Sequence, residues 1–318
     1  MTVMNIKVGS GSVSADPVET WHYACRRRPL WLIDEPRLER CPRYPWDLDM
    51  TLCIGALAYE PVPAQFCIVL AFDYKVSNDA WGSESEYKFH KLSDRMVALF
   101  AGSPARAKEL ALMYRDYLAT TDLKDATARE QLMEPYVAFK RRLANMYIGR
   151  KLAISYQDLL GHGEQWLGTQ RWQKHLDAIE RHDPKVHMVF AGFIGDRAVL
   201  FRLWDEVEEC TNFAAIGTGA TTAQPALHAR EQRPITSLST TLYNVYEAKK
   251  VGESSPEVGR RTKMLVLPRP KPEEQKMVIE FVTDSGEKHL QRLWRKHGPK
   301  PVKYPPVFPD GSFQAGRF

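Results

Sequence analysis

The chain has 318 residues, of which 44% are hydrophobic and 26% charged, with a formal net charge of +5. This is the composition of an ordinary globular protein, long enough for one large core or two smaller ones. The 44 lysines and arginines are interspersed with 39 acids, which disfavours a nucleic-acid-binding surface. No apolar stretch is long enough to span a bilayer, and residues 1–49 lack a secretory signal. We therefore expect neither nucleic acid nor a membrane as a partner.

The cysteines and histidines argue against disulfide and metal chemistry. The five cysteines form no CxxC pair, and their number is odd and low for a secreted disulfide scaffold, which indicates a reducing cytoplasm. The nine histidines show no HExxH motif or ligand-like cluster, so we expect no metal and no cofactor. Residues 217–219 carry two glycines before a predicted helix, but without the rest of a nucleotide-binding fingerprint we interpret them as a tight turn.

The composition and hydropathy pattern of the chain change at residue 50. Residues 1–49 are rich in Gly and Ser, then in Pro, Arg and Trp, and they have no periodic pattern, so we expect a loosely ordered N-terminal extension. Residues 51–57 and 66–72 are apolar and of strand length, and a proline-containing turn separates them. This pattern predicts a hairpin of two buried strands.

The remaining elements follow in a regular order. An apolar run at residues 96–101 leads to Ser103 and Pro104, which suit the start of a helix. Helices are predicted to about residue 117 and at 128–151, 222–230 and 237–250, and residues 157–183 are interpreted as a polar insertion. Strands are predicted at 186–192, 198–204, 213–216 and 263–267. Because helices and strands are segregated, we expect an α+β fold. Residues 268–318 predict a basic, Pro-rich tail with a short helix at about 287–296.

Four short motifs occur in a distinctive order. Thr51 opens the first predicted strand, the second ends in an apolar run closed by Asp73, and Lys88 begins a segment that reaches Ala-Gly before a helix. Residues 213–220 then read Phe-Ala-Ala-Ile-Gly-Thr-Gly-Ala. Together these motifs resemble proteasome β subunits and HslV-type peptidases, which are N-terminal-nucleophile hydrolases. The resemblance covers about residues 50–267 and implies a four-layer αββα sandwich for that domain.

The resemblance also implies a catalytic set. Thr51 would be the nucleophile, activated by its own α-amine, whose pKa is about 8 when free. Lys88 would lower that pKa by its positive charge, and Asp73 would pair with Lys88. Thr218 stands where the family has a serine that positions the amine. Taken singly, Thr51 is also interpretable as a strand-start threonine, Asp73 as a turn cap and Lys88 as a solvated lysine, and Lys91 is a rival for the same role.

Two positions depart from the family pattern near the nucleophile. Thr51 follows Met50 instead of the glycine at which family precursors cleave themselves. Either the natural chain starts at Met50, or residues 1–49 are a pro-segment or a permanent block that leaves the subunit inactive. Leu99 falls at the glycine whose N–H binds the oxyanion, a role that a backbone donor keeps after substitution.

A third departure concerns the late Asp-x-x-Ser-Gly motif of the family. Gly259 fits its glycine, but its acid has no clear counterpart. Ser255 lies nearest by spacing, and Glu253 and Glu257 are chemically suited substitutes.

These features predict a threonine peptidase or amidase acting on peptides or proteins in the cytoplasm. The resemblance implies self-association into rings, and it leaves any ATPase partner open. Two alternatives stand beside this prediction. One is a catalytically inactive subunit on the same fold, and the other is an adaptor that binds acidic partners through the basic tail.

Overall fold

The computed structural model describes residues 51–62, 64–73, 76–77, 82–83, 88–180, 184–271 and 276–299. The predicted extension at residues 1–49 and the tail beyond residue 299 lie outside the described residues. All of the described residues belong to one compact unit. None of the helices in these ranges combines the length and the apolar character that crossing a membrane requires.

Groups of strands and groups of helices follow one another in the predicted order, with two additional helices after the second helix. In chain order, the described strands are β1 (Cys53–Pro61), β2 (Ala64–Asp73), β3 (Val76–Ser77), β4 (Gly82–Ser83), β5 (Phe89–Lys91), β6 (Met96–Gly102), β7 (Val186–Ile194), β8 (Arg197–Leu203), β9 (Val207–Glu209), β10 (Phe213–Ile216), β11 (Thr262–Pro268) and β12 (Glu280–Phe281). The described α-helices are α1 (Pro104–Leu118), α2 (Ala128–Leu152), α3 (Tyr156–Leu167), α4 (Thr169–Glu180), α5 (Ala220–Ala229), α6 (Leu238–Gly252) and α7 (Asp284–His297).

Two five-stranded antiparallel sheets form the centre of the fold. The first sheet has the order β10-β1-β2-β11-β12 and the second has the order β5-β6-β7-β8-β9, while β3 and β4 form a separate two-stranded sheet. The predicted hairpin is confirmed, because β1 and β2 pair in antiparallel register with Cys53 opposite Phe72. The fold is therefore a mixed α+β arrangement, as predicted.

Three apolar clusters connect the sheets and helices. In the first, Ile54 of β1 packs with Leu227 of α5, Val245 of α6 and Leu290 of α7. Cys53, the residue before Ile54 on β1, belongs to a different cluster, which contains side chains of both sheets. Neighbouring residues of a strand point to opposite faces, which explains why β1 contributes to two clusters.

The third cluster lies on the second sheet. It joins Phe100 of β6 and Phe190 of β7 to Leu110 of α1 and Phe139 of α2. The β7 residue Val189, next to Phe190, belongs to the cluster shared by the two sheets. Each sheet therefore has one face against helices and contributes its other face to the shared cluster.

Residues 157–183, interpreted as a polar insertion, contain most of α3 and all of α4. The start of α3 has a clear signal: Ser155 Oγ accepts from Asp158 N at 3.0 Å, and Asp158 Oδ2 accepts from Ser155 N at 3.2 Å. This reciprocal cap satisfies two free N–H groups of the first turn. No residue of α4 is fully buried. Because this segment is mostly polar, a helix was not predicted there.

Candidate active site

The predicted site residues meet where strand ends converge. Thr51 precedes β1, Asp73 ends β2 and Lys88 precedes β5. Because β1 and β2 are antiparallel, the start of one lies beside the end of the other, and Asp73 N donates to Leu52 O at 3.3 Å. Lys88 is tied to the second sheet, since its carbonyl oxygen accepts from Phe100 N at 3.1 Å. The topology thus brings together three residues that are up to 37 positions apart.

Thr51, Asp73 and Lys88 form one hydrogen-bonded cluster. Thr51 Oγ1 donates to Asp73 Oδ1 at 2.8 Å, and Lys88 Nζ donates to both of these oxygens. The three residues are 2%, 0% and 3% exposed, respectively. A buried ammonium and a buried carboxylate are tolerated only when they pair with each other or with other polar groups. The cluster satisfies this condition and places a positive charge directly on the threonine hydroxyl.

The rival lysine lies elsewhere. Lys91 is exposed, and its ammonium pairs with Asp94 Oδ1 at 2.7 Å on the surface. An exposed pair of this kind contributes little to stability. Lys88 is therefore the lysine that the structure brings to Thr51, and Lys91 serves as a matched control for experiments on it.

The turn between β10 and α5 holds the backbone of Thr51. Gly219 N donates to Thr51 O at 3.3 Å, and Thr218 Oγ1 donates to the same oxygen at 3.5 Å. The resemblance implied that the Thr218 hydroxyl positions the amine of Thr51, whereas here it contacts the carbonyl group of that residue. Thr218 is thus adjacent to Thr51 and contacts its main chain.

Gly217 is required for this close approach. Its φ is +91°, and a Cβ added to it would lie 2.2 Å from Thr51 O. We expect Gly217→Ala to destabilise the fold by about 3 kcal/mol, because it combines left-handed strain with a backbone clash. Gly149→Ala in α2 is the control: a Cβ there meets nothing within 4 Å, and we expect it to stabilise the fold by about 0.5 kcal/mol. Chemical denaturation of both variants measures the difference, and equal unfolding free energies would contradict the role of Gly217.

Leu99 is not suited to bind an oxyanion, which corrects the sequence prediction. Phe100 N–H donates to Lys88 O, and Leu99 is opposite Phe89 on β5. Because N–H groups alternate along a strand, the Leu99 N–H faces β7, where Leu99 is paired with Val189. That donor belongs to the sheet and points away from the Lys88 side.

The same alternation identifies a residue that the sequence reasoning missed. Gly102, at the end of β6, is two positions beyond Phe100, so its N–H faces the side on which Lys88 lies. Its φ of +110° and the position of Lys185 O, 2.0 Å from a hypothetical Cβ, explain why a glycine is needed there. The Ala-Gly pair directly before the α1 helix was the available sequence signal.

Neither candidate acid lies beside Thr51. Glu253 binds the ammonium groups of Lys249 and Lys250, the latter at 2.9 Å. Glu257 accepts from Ser255 Oγ at 3.3 Å. Among the described residues, neither carboxylate has a hydrogen bond to Thr51, so the predicted substitution of the family's acid by Glu253 or Glu257 is not supported.

Gly259 instead connects this loop to the site. Its N–H donates to Asp73 Oδ2 at 2.8 Å, and its carbonyl oxygen accepts from Lys249 Nζ at 2.6 Å. The two oxygens of Asp73 therefore have separate partners, with Thr51 and Lys88 on Oδ1 and Gly259 on Oδ2. Lys249 is the second residue that the sequence reasoning missed.

Lys249 makes stability depend on pH. Its side chain is fully buried, and burial lowers its pKa to about 8 although Glu253 opposes this shift. Between that pH and its unfolded pKa of 10.5, the unfolded chain binds a proton that the folded chain has released, so the Lys249 contribution to stability rises with pH. We expect wild type to gain about 2 kcal/mol relative to Lys249→Met between about pH 7.5 and about pH 9.5.

Urea denaturation at several pH values tests this expectation. The comparison with Lys249→Met cancels other groups that titrate in the same range, such as the buried cysteines. Lys250→Met is the matched control, and it should keep the pH dependence of wild type. A constant difference between wild type and Lys249→Met would show that Lys249 does not titrate as expected.

Cys53 lies next to the site, but its thiol is a poor nucleophile. Its Sγ donates to Phe100 O at 3.2 Å, and its side chain is fully buried. Burial raises the pKa of this thiol to about 12, although the positive charge of Lys88 opposes the shift. Cys53 therefore packs as an apolar side chain.

Comparison with known proteins assigns no family to the chain. No family model matches it, and no curated protein matches it significantly. Among the described residues, no three or more His, Cys, Asp or Glu side chains are arranged to hold a metal ion. The feature that bears on function is therefore the geometry of the cluster around Thr51.

Proposed function

We propose that this protein is an N-terminal-nucleophile hydrolase that cleaves amide bonds with Thr51. The observation that carries the proposal is the buried cluster in which Lys88 donates to both the Thr51 hydroxyl and Asp73. An ammonium in contact with a hydroxyl oxygen stabilises the alkoxide character that develops when that oxygen attacks a carbonyl. A structural ion pair alone has no need of a threonine hydroxyl bonded to both of its charged groups.

The proposed reaction begins when the free α-amine of Thr51 takes the hydroxyl proton. The hydroxyl oxygen forms a bond to the amide carbon, and the resulting tetrahedral oxyanion is bound by the N–H of Gly102. The carbon–nitrogen bond then breaks, and the leaving amine takes the proton from the Thr51 ammonium. Water attacks the acyl ester in the same way, which releases the acid and restores the hydroxyl.

Lys88 and Asp73 have distinct roles in this proposal. The charge of Lys88 lowers the pKa of the Thr51 amine, so that more of it is neutral and able to act as a base. Asp73 pairs with the buried Lys88 ammonium and accepts the hydroxyl hydrogen bond that fixes the Thr51 rotamer. The β10–α5 turn holds the Thr51 carbonyl group.

The packing of the fold supports the same proposal. Helices α5 to α7 cover one sheet, α1 and α2 cover the other, and the two sheets share a cluster of apolar side chains. We propose that this arrangement is the four-layer αββα sandwich of N-terminal-nucleophile hydrolases, in which nucleophile and lysine lie at the strand ends. Peptide or protein substrates, assembly into rings and a cytoplasmic location are part of the proposal by resemblance.

The proposal requires that Thr51 have a free amine, which makes the mature N-terminus the first measurement. The purified protein is analysed by intact mass after expression of the full chain and of a chain that starts at Met50. We expect a species whose first residue is Thr51. This species should be labelled by a peptide epoxyketone, which reacts with both the hydroxyl and the amine, and the labelled residue should be Thr51.

A catalytically inactive subunit is the second candidate. The observation that favours it is the binding of Glu253 by two lysines, which leaves the acid of the family's late motif without a replacement at Thr51. The labelling experiment distinguishes the two. A folded species that begins at Thr51 and is neither labelled nor able to hydrolyse peptides would establish the inactive subunit.

A further inference from the structure

Lys249 lies behind the catalytic cluster without touching the nucleophile. It is on α6, and its ammonium donates to Gly259 O at 2.6 Å and to Glu253. The peptide N–H of Gly259 donates to Asp73 Oδ2 at 2.8 Å. One residue thus links the buried lysine to the carboxylate that holds Lys88 and Thr51.

Burial of the Lys249 ammonium is unfavourable for the stability of the fold. Lys249 is 0% exposed, and removing an ammonium from water costs several kcal/mol that one ion pair offsets only in part. The charged groups that face it are Glu253, at the end of α6, the neighbouring Lys250, and Asp73 of β2. Lys250 already neutralises Glu253, through contacts at 2.9 and 3.1 Å. Glu253 therefore does not need Lys249, whereas the carbonyl group of Gly259 has Lys249 as its buried donor.

We infer that Lys249 is a positioning residue, which fixes Asp73 through the backbone of Gly259 and thereby sets the geometry of Lys88 and Thr51. This inference rests on the proposed function. The Gly259 oxygen and nitrogen belong to two successive peptide groups, so the ammonium acts on the position of the residue. By holding the carbonyl oxygen it restrains the loop before β11, and the Gly259 N–H stays on Asp73 Oδ2. With Oδ2 held, Oδ1 faces the hydroxyl and Lys88. The Lys249–Glu253 pair thus orients the site from behind, where the family's late acid has no counterpart.

The consequence is a second titration in the pH profile. The Thr51 amine must be neutral to act as a base, which limits the rate on the acidic side. Burial lowers the pKa of Lys249 to about 8, so its positive charge is lost within the working range and limits the rate on the alkaline side. If Lys249 had only a packing role, the rate would show no such decrease at alkaline pH, which we call the alkaline limb of the pH–rate profile.

The first test reads the loop directly and needs no activity. The amide signal of Gly259 is followed by NMR in the full chain labelled with ¹⁵N-glycine, over a pH titration. We expect its proton shift to move with a midpoint near pH 8 in wild type and in Lys250→Met, and to show no such step in Lys249→Met. Wild type alone decides if the variant fails to fold: a Gly259 amide that does not titrate overturns the inference.

The second test measures kcat for amide hydrolysis as a function of pH in the purified protein. Lys249→Met should lower kcat on the order of 10²-fold, because small displacements of a catalytic group are costly, and should abolish the alkaline limb. Lys250→Met, with the same charge change on the same helix, should keep both rate and limb. An Lys249→Met profile identical to that of Lys250→Met would overturn the inference. An inactive wild type would instead reject the proposed function, and the Gly259 titration would still report on Lys249.

Discussion

Replacing Thr51 by alanine is expected to abolish amide hydrolysis, with a loss on the order of 10⁴-fold or more in kcat, because the attacking oxygen is removed. The fold should tolerate the change. Asp73 keeps its bonds to Lys88 and Gly259, so the lost hydrogen bond costs about 1 kcal/mol. Peptide hydrolysis and chemical denaturation of the same preparation measure both effects.

Thr51→Ser is the control for this experiment. Serine keeps the hydroxyl and the amine but lacks the methyl group that restricts side-chain rotation, so we expect a smaller loss of activity. Residual hydrolysis by Thr51→Ala at the wild-type rate would mean that another residue is the nucleophile and would reject the proposal.

Replacing Lys88 by methionine is expected to affect both activity and stability. Asp73 would remain buried with its charge uncompensated by Lys88, which costs about 3–5 kcal/mol. Hydrolysis should fall on the order of 10³-fold, because one group that stabilises transition-state charge is lost. Lys91→Met, which breaks only the exposed pair with Asp94, should change stability by less than about 1 kcal/mol and leave the rate unchanged.

A double variant separates the two effects of losing Lys88. Combining Lys88→Met with Asp73→Asn removes both charges, and replacing a whole buried pair is often nearly neutral for stability. We expect the unfolding free energy of this variant to be close to that of wild type, and we expect the variant to remain inactive. Recovery of hydrolysis together with stability would show that Lys88 acts on the fold alone.

Much of the fold could be predicted from the sequence because its elements are short and apolar. The β1–β2 hairpin follows from two apolar runs around a turn, and α1 begins at Pro104 behind Ser103 as expected. Helices α3 and α4 were missed because apolar periodicity identifies only helices that bury a face. The capping pair Ser155 and Asp158 is a local sequence signal that marks the start of α3.

The candidate site was predictable only in part, for a related reason. Thr51, Asp73 and Lys88 were assigned from the order of motifs, and the hairpin topology explains why they meet. The assignment of Leu99 failed because it ignored which side of the strand each N–H faces. The role of Lys249 depends on where the loop before β11 returns to the sheet, and no spacing in the sequence encodes that contact.

The buried thiol of Cys53 has a practical consequence for identifying the nucleophile. With a pKa of about 12 it is almost entirely un-ionised at neutral pH, and a protonated thiol is a poor partner for alkylating agents. Iodoacetamide should therefore leave this position unmodified in the native protein, even though it is two residues from Thr51. Inactivation by an electrophile selective for thiols would thus point away from the threonine, and resistance to such reagents, combined with sensitivity to epoxyketones, is the inhibitor signature that the site predicts.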